Sequence, residues 1–185
     1  MEGNSAKVKY NVKDIVQISL MSAIVFVATK LTAIPVGIGY KGVVHLGDSM
    51  IFIAAILLSS RNAVLSSAIG MSLYDILSPT PMWTPFTFVI KGGMAYIASK
   101  ISYEKQYKGN NILVNLVGCI SGGVWMVGAY YFAGALINHY LMKYPWNQSF
   151  IAQGTHIPAD IAQVVVGIIV ALPISKILKK ANIIR

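Results

Sequence analysis

The run Ile69–Gly93, IGMSLYDILSPTPMWTPFTFVIKGG, decides how the chain is read. Two apolar segments meet at a turn built on Pro79, Pro81 and Pro85 and carrying Trp83. Proline removes a backbone donor and clashes with the preceding helical turn, so neither segment continues through it. Each segment carries one charge inside its apolar stretch, Asp75 before the turn and Lys91 after it. A charge at hydrophobic depth is costly and faces a bundle interior or a cavity. Two readings stay open at this point. The charges mark a functional site, or they form an Asp75–Lys91 pair that pins two helices.

Working outward, the composition is that of a membrane protein. The 185 residues are 56 % hydrophobic and only 11 % charged, with a mean hydropathy of +0.65, whereas a soluble domain carries about 25 % charged residues. Spans of ~20 residues each predict a six-helix, all-α bundle in one transmembrane domain over 1–185. The expected spans are about 14–34, 45–60, 63–77, 84–101, 112–141 and 156–178. The first apolar run lacks an A-x-A-like cleavage site after it and reads as a retained span.

The formal net charge is +9, but the basic residues cluster at the ends of apolar runs rather than in one aromatic-bearing patch. Nucleic acid is therefore not an expected partner; the lipid bilayer is. With six spans and both termini on one side, eleven Lys and Arg fall at one surface, and only Lys41 and Lys143 fall in loops of the other. By the positive-inside rule the termini are expected in the cytoplasm.

Several stretches predict local structure. Ser19, Ser22 and Ala23 place small residues on the first span, for internal packing or for close approach of a partner helix. PVGIGYKG, 35–42, cannot continue a helix and reads as a flexible outer loop. Asp48 or Ser49 suits an N-cap for the second span, and Arg61–Asn62 a turn. Ser66, Ser67, Gly70 and Ser72 predict a third span packed by protein rather than lipid. Residues 141–155 read as an outer loop.

Candidate chemistry is sparse. The chain has no GxxxxGK[ST], HExxH or GxSxG motif and a single cysteine, Cys119. ATP hydrolysis by a P-loop, a zinc site and a nucleophile elbow thus lack their sequence signals, and a disulfide within the chain is excluded. No metal or cofactor is expected. What does gather, at one expected depth, is a set of polar and aromatic groups: Asp75, Trp83 and the deeper Lys91, with Tyr131 and Asn138 on the fifth span and Asp160 and Gln163 on the sixth. Aromatic walls with a few convergent polar groups predict a small-molecule pocket opening outward. Each member has a plainer role as well. Trp83 suits an interfacial belt, and Asp160 suits a first-turn charge answering the helix dipole.

The stretch HLGDSMIFIAAILLSSRNAVLSSAIGMSLYDILSPTPMWTPFTFVIKGG, 45–93, resembles the substrate-binding (S) components of energy-coupling factor (ECF) transporters. The likeness is to the riboflavin-type or hydroxymethylpyrimidine-type group. It rests on His45–Asp48, the apolar helix after it, Gly70–Asp75, and Pro85, Thr87, Lys91 and Gly92, and covers about fifty residues.

This resemblance implies a bacterial plasma-membrane protein without enzymatic activity, part of an ABC-type importer. Such a subunit captures a vitamin or precursor at the outer face. It then docks on a transmembrane coupling protein (EcfT-type) and two ATPase subunits. The resemblance assigns the coupling-protein contact to Ser19, Ser22 and Ala23, and a gate to the loop containing Gly37, Gly39 and Tyr40. It also implies a flat polar heterocycle as ligand, with hydroxymethylpyrimidine, pyridoxine or a queuine-like deazapurine favoured. A riboflavin-specific subunit is the alternative within the family, and an intramembrane enzyme or scaffold subunit the alternative outside it.

Overall fold

The structure is a computed structural model that describes residues 11–36, 42–103 and 107–181. The order is α1 (Val12–Thr32), β1 (Ile34–Val36), β2 (Gly42–Val44), α2 (Gly47–Leu57), α3 (Ser60–Ile76), a 3-10 turn (Pro81–Trp83), α4 (Thr84–Ser102), α5 (Ile112–Tyr140), α6 (Trp146–Gly154) and α7 (Ile157–Lys180). The architecture is an all-α bundle of six helices (α1–α5 and α7), with the short α6 and a small hairpin at one end. Its main core is an apolar cluster running through Phe52, Ile56, Met94 and Met126, with a smaller one of Ala54, Leu58 and Ala63.

The bundle is assembled around α2. Its eleven residues rise only about 16 Å at 1.5 Å per residue, roughly half the hydrocarbon thickness. Every residue of α2 except Met50 is buried, and α1, α3, α4 and α7 surround it. The sequence reading expected a membrane span over about 45–60 here. The structure makes it a central helix that meets protein on all sides, which explains an apolar run with no polar face.

Neither Asp48 nor Ser49 caps α2. The N-cap is Leu46, with no side-chain capping bond, and Asp48 is drawn sideways into ionic contacts between helices. Arg61–Asn62 is likewise no turn. Ser59 caps α3 by accepting from the Asn62 amide at 3.4 Å, so both residues lie in its first turn. From there the Asn62 side chain donates to Asp14 Oδ1 and Gln17 Oε1, both at 2.9 Å, tying α3 to α1.

The small residues of α3 do what their density predicts. Ser66, Ser67, Gly70 and Ser72 are buried. A Cβ on Gly70 would lie 2.6 Å from the Ser22 carbonyl oxygen and 2.8 Å from Val25 Cβ, so the α1–α3 approach requires glycine there.

Regular structure is found at the described ends of one stretch read as a loop and within a second. Ile34–Val36 and Gly42–Val44 pair antiparallel, with Ile34 opposite Val44 and Val36 opposite Gly42. Gly37, Gly39 and Tyr40, the expected gate, lie outside the described residues. Trp146–Gly154 forms α6 and packs on α5. His139 stacks on Trp146 at 3.9 Å, and Phe150 lies 5.6 Å from Tyr131.

The fifth helix is continuous over 29 residues, about 44 Å, so it overreaches a bilayer core of roughly 30 Å. By length and composition α1, α5 and the α6–α7 stretch are each apolar enough to cross a membrane. At the end away from the hairpin, Lys179 Nζ donates to the Lys108 carbonyl oxygen and to Asn110 Oδ1.

Candidate functional site

At the hairpin end, the C-terminal turns of α3, the proline turn, the first half of α4, the middle of α5, the end of α6 and the start of α7 enclose a cavity of about 520 Å³. The volume falls in the range of small-molecule sites. Pro79 and the 3-10 turn carry the chain across its mouth. They also hold Trp83 over it, with ring centroids 5.8 Å from Tyr130 and 6.4 Å from Phe86. Tyr130 reaches across from α5 and donates to Thr87 Oγ1 at 3.2 Å. Tyr74 and His45 face each other at 6.2 Å on another wall.

At the cavity floor lies an ion pair with a different carboxylate from the one in the open Asp75–Lys91 reading. Lys91 Nζ donates to Asp48 Oδ1 at 2.6 Å, with the two side chains 1 % and 0 % exposed. Asp75 is therefore not the partner of Lys91. Asp48 stands directly across from Lys91 because α2 runs through the bundle centre, beside α4. The ammonium also donates to Met126 Sδ at 3.0 Å and sits 5.3 Å from the Tyr130 ring centroid.

The second Asp48 oxygen, Oδ2, accepts from Gln163 Nε2 at 2.6 Å. Gln163 Oε1 in turn accepts from the His45 backbone N–H at 3.3 Å. The network thus links α4, α2, α7 and the end of β2. A buried carboxylate needs this much, since its charge must be compensated and its lone pairs filled.

Of the seven predicted ligand residues, Asp75, Trp83, Lys91, Asp160 and Gln163 line this one cavity. Asp160 does so from the first turn of α7, so its dipole role and its place in the wall coexist. Tyr131 and Asn138 do not line it. Tyr131 turns toward Phe132 and Phe150, and Asn138 is buried at the α5 end, where its carbonyl oxygen accepts from the Tyr144 N–H. The cause is α6. Read as a loop, it left that face of α5 open, whereas as a helix it covers it.

The adjacent residue, Tyr130, is rotated about 100° around the helix axis and supplies the aromatic wall instead. Gly134 completes the exchange. A Cβ there would lie on the Gln153 side chain, and its absence lets Gln153 pass from α6 into the cavity wall beside His156.

Sequence reasoning passed over Tyr74, Tyr130, Gln153 and His156 as site residues. For Thr87 and Asp48 a signal existed, since both belong to the quoted 45–93 stretch. For Gln153 and His156 none did, because their placement depends on α6.

On α1, Ser19 and Ala23 are exposed on one face. Ser22 is 5 % exposed and turned into the α1–α3 contact, which corrects its assignment to a partner-facing surface. Among the described residues, no group of three or more His, Cys, Asp or Glu could hold a metal ion.

Comparison with known proteins agrees with this architecture. The family described as ECF-type riboflavin transporter, S component, matches residues 9–180. The thiamine precursor transporter HmpT of Lactococcus lactis subsp. cremoris is 25 % identical over 175 residues, covering 95 % of this chain and 93 % of that one. An uncharacterized protein of Pyrococcus woesei is 31 % identical over 156 residues, covering 84 % and 95 %. A solved structure of the S component of a bacterial ECF transporter matches with a TM-score of 0.68 at 18 % identity, over 91 % of this chain and 96 % of that one. At that identity the likeness is one of fold.

Members of this family are substrate-binding subunits, not enzymes, and reside in the plasma membrane. The chain belongs to the family of ECF-type riboflavin transporter S components, and is a helical membrane subunit of a vitamin or vitamin-precursor transporter.

Proposed function

We propose that the chain captures one small flat heterocycle in the cavity between Trp83, Tyr130, Asp75 and Asp160, and delivers it to an ECF module for ATP-driven uptake. The observation that carries this reading is the presence of two adjacent aromatic rings and two carboxylates in the lining of one cavity. Trp83 and Tyr130 lie 5.8 Å apart, centroid to centroid, with their planes inclined at 56°, an aromatic wall suited to a flat ligand packed against it. Asp75 and Asp160 offer acceptors for ring-edge N–H groups. A ring with N–H groups at its edge, such as an aminopyrimidine, an amino-deazapurine or pyridoxine protonated on its ring nitrogen, uses both features. The name of the Lactococcus relative favours a thiamine precursor. The family description favours riboflavin, whose larger ring system is the second reading.

In the proposed orientation the cavity end faces outward and the Lys-rich end faces the cytoplasm. The basic residues at the end remote from the cavity support it. The exposed Ser19–Ala23 face of α1 is proposed as the contact for the coupling protein. It borders an apolar groove lined by Leu20, Ile24, Met50 and Leu57.

The test is binding by the purified chain in nanodiscs, without ATP or partners. Hydroxymethylpyrimidine, pyridoxine, riboflavin and a deazapurine are titrated while Trp fluorescence and thermal unfolding are followed. One saturable binder supports the reading. No response to any of the four, together with no small molecule released from freshly purified protein in mass spectrometry, refutes it.

A further inference from the structure

We infer that the ligand bound in this cavity carries a positive charge, located on a ring substituent or on the ring itself. The inference rests on the heterocycle reading above and narrows its chemistry. One lysine stands against three carboxylates here. Lys91 bonds Asp48 at 2.6 Å, its remaining donor directions meet Met126 Sδ and the Tyr130 ring, and it reaches Asp75 and Asp160 only through longer-range attraction. Gln163 is likewise committed, donating to Asp48 Oδ2 and accepting from His45 N–H.

Two further carboxylates, Asp75 and Asp160, line the same space. Lys91–Asp48 is the one ion pair within 4 Å among the described residues. Asp75 is 8 % exposed, and its Oδ2 is buried without a hydrogen-bond partner. Of the two imidazoles in the wall, His45 accepts the Gly47 N–H on Nδ1 at 3.1 Å, which requires that nitrogen to be unprotonated. Protonation of His156 compensates one carboxylate and leaves the other. A buried carboxylate without a cation carries a large desolvation cost, and a ligand ammonium or protonated ring nitrogen between Asp75 and Asp160 removes it. A neutral ligand leaves it in place.

The experiment uses isosteric pairs that differ in one group. The neutral 4-amino-5-hydroxymethyl-2-methylpyrimidine is compared with its 5-aminomethyl analogue, charged at pH 7, and the neutral 3-hydroxybenzyl alcohol with 3-hydroxybenzylamine. Riboflavin is the neutral third probe. All are titrated against the full chain in nanodiscs and against Asp75→Asn and Asp160→Asn. Thermal unfolding confirms that these near-isosteric variants fold.

The expected result is that, in at least one pair, the aminomethyl member binds at least about tenfold more tightly, a difference of about 1.4 kcal/mol. Asp75→Asn or Asp160→Asn then weakens that member by about 30-fold or more, as loss of one partner of a buried charge pair does. Neutral members change little.

The inference is overturned if the hydroxymethyl members or riboflavin bind as tightly and both Asn variants leave every Kd unchanged. In that case the heterocycle reading survives. If no probe binds and no small molecule is released from the freshly purified protein, both fall together.

Discussion

Lys91 and Asp48 lie 43 residues apart and meet at the floor of the cavity, Nζ to Oδ1 at 2.6 Å, both essentially without solvent exposure. Each is the condition for the other's burial. Removing one partner leaves a charge stranded among Phe52, Met94 and Met126, which costs about 3–5 kcal/mol, whereas replacing both with neutral groups of similar volume is often near neutral. Lys91→Met and Asp48→Asn are each expected to lower thermal stability strongly, and the double variant to recover most of the loss. Thermal unfolding of the four proteins closes the double-mutant cycle. Additive losses in the double variant would show the pair to be uncoupled.

Asp75, which one of the two open sequence readings paired with Lys91, behaves differently. It has no ion pair at contact distance among the described residues, so Asp75→Asn is expected to leave thermal stability within about 0.5 kcal/mol of wild type or to raise it, since the buried charge is then gone. The reading is the unliganded unfolding midpoint, beside that of Asp48→Asn. A loss as large as that of Asp48→Asn would mean that Asp75 is structurally paired.

Tyr130 and Tyr131 are adjacent in sequence and opposite in role. Tyr130 lines the cavity, faces Trp83 and donates to Thr87, while Tyr131 packs on Phe150 of α6. Tyr130→Ala is expected to weaken ligand binding by about 1–2 kcal/mol, roughly tenfold, through loss of the aromatic wall. Tyr131→Ala is expected to leave Kd within about twofold and to reduce stability. Titration and unfolding on the same preparations separate the two effects, and equal losses of affinity would contradict the assignment.

What the sequence made legible follows from the physics of each signal. Hydropathy and charge placement report burial in lipid, so the all-helical membrane bundle was readable from composition. The small residues of α3 report close approach, and Gly70 against the Ser22 carbonyl is that approach. Five of the seven ligand candidates line one cavity, because four sit in the turns of α3, α7 and the proline segment at the same end of the bundle and Lys91 lies two turns below on α4. The rest depended on facts without a local signature. That α2 is central, placing Asp48 against Lys91, is a property of packing order. That 146–154 is helical is hidden by its mixture of aromatic and polar residues, and this single misreading cost both Tyr131 and Asn138. The hairpin pairing Ile34 with Val44 is hidden for another reason, since two three-residue strands are too short to display a period of two.

Gly70 offers a packing test away from the site chemistry. A methyl group on Gly70 would press on a backbone carbonyl of α1, 2.6 Å away, and on Val25. A backbone atom cannot swing aside as a side-chain tip can, so α1 must move. Gly70→Ala is expected to destabilise by about 1–3 kcal/mol, despite alanine's better helix propensity. A nearby exposed control, Ile69→Ala, has little packing to lose and stays within about 1 kcal/mol. Should Gly70→Ala unfold no earlier than wild type, the close α1–α3 contact would be wrong.

The face of α1 gives the last prediction, and it turns on which small residues are free. Ser19 and Ala23 are exposed one helical turn apart, while Ser22 is inside. In the proposed assembly the exposed pair lets a coupling-protein helix approach closely, as small residues do in membrane helix contacts. Ser19→Trp and Ala23→Trp place a large ring on that face and leave the cavity, at the far end of the bundle, untouched. Both are expected to retain wild-type Kd in nanodiscs, and to lose most uptake and most co-purification with the coupling protein in cells. Ser22→Trp drives the same ring into α3 and is expected to lose folded protein altogether. The decisive readout is the split between binding and uptake. Full uptake by both exposed-face variants would move the coupling contact elsewhere on the bundle, and loss of ligand binding in either would show that the α1 face and the cavity are not independent.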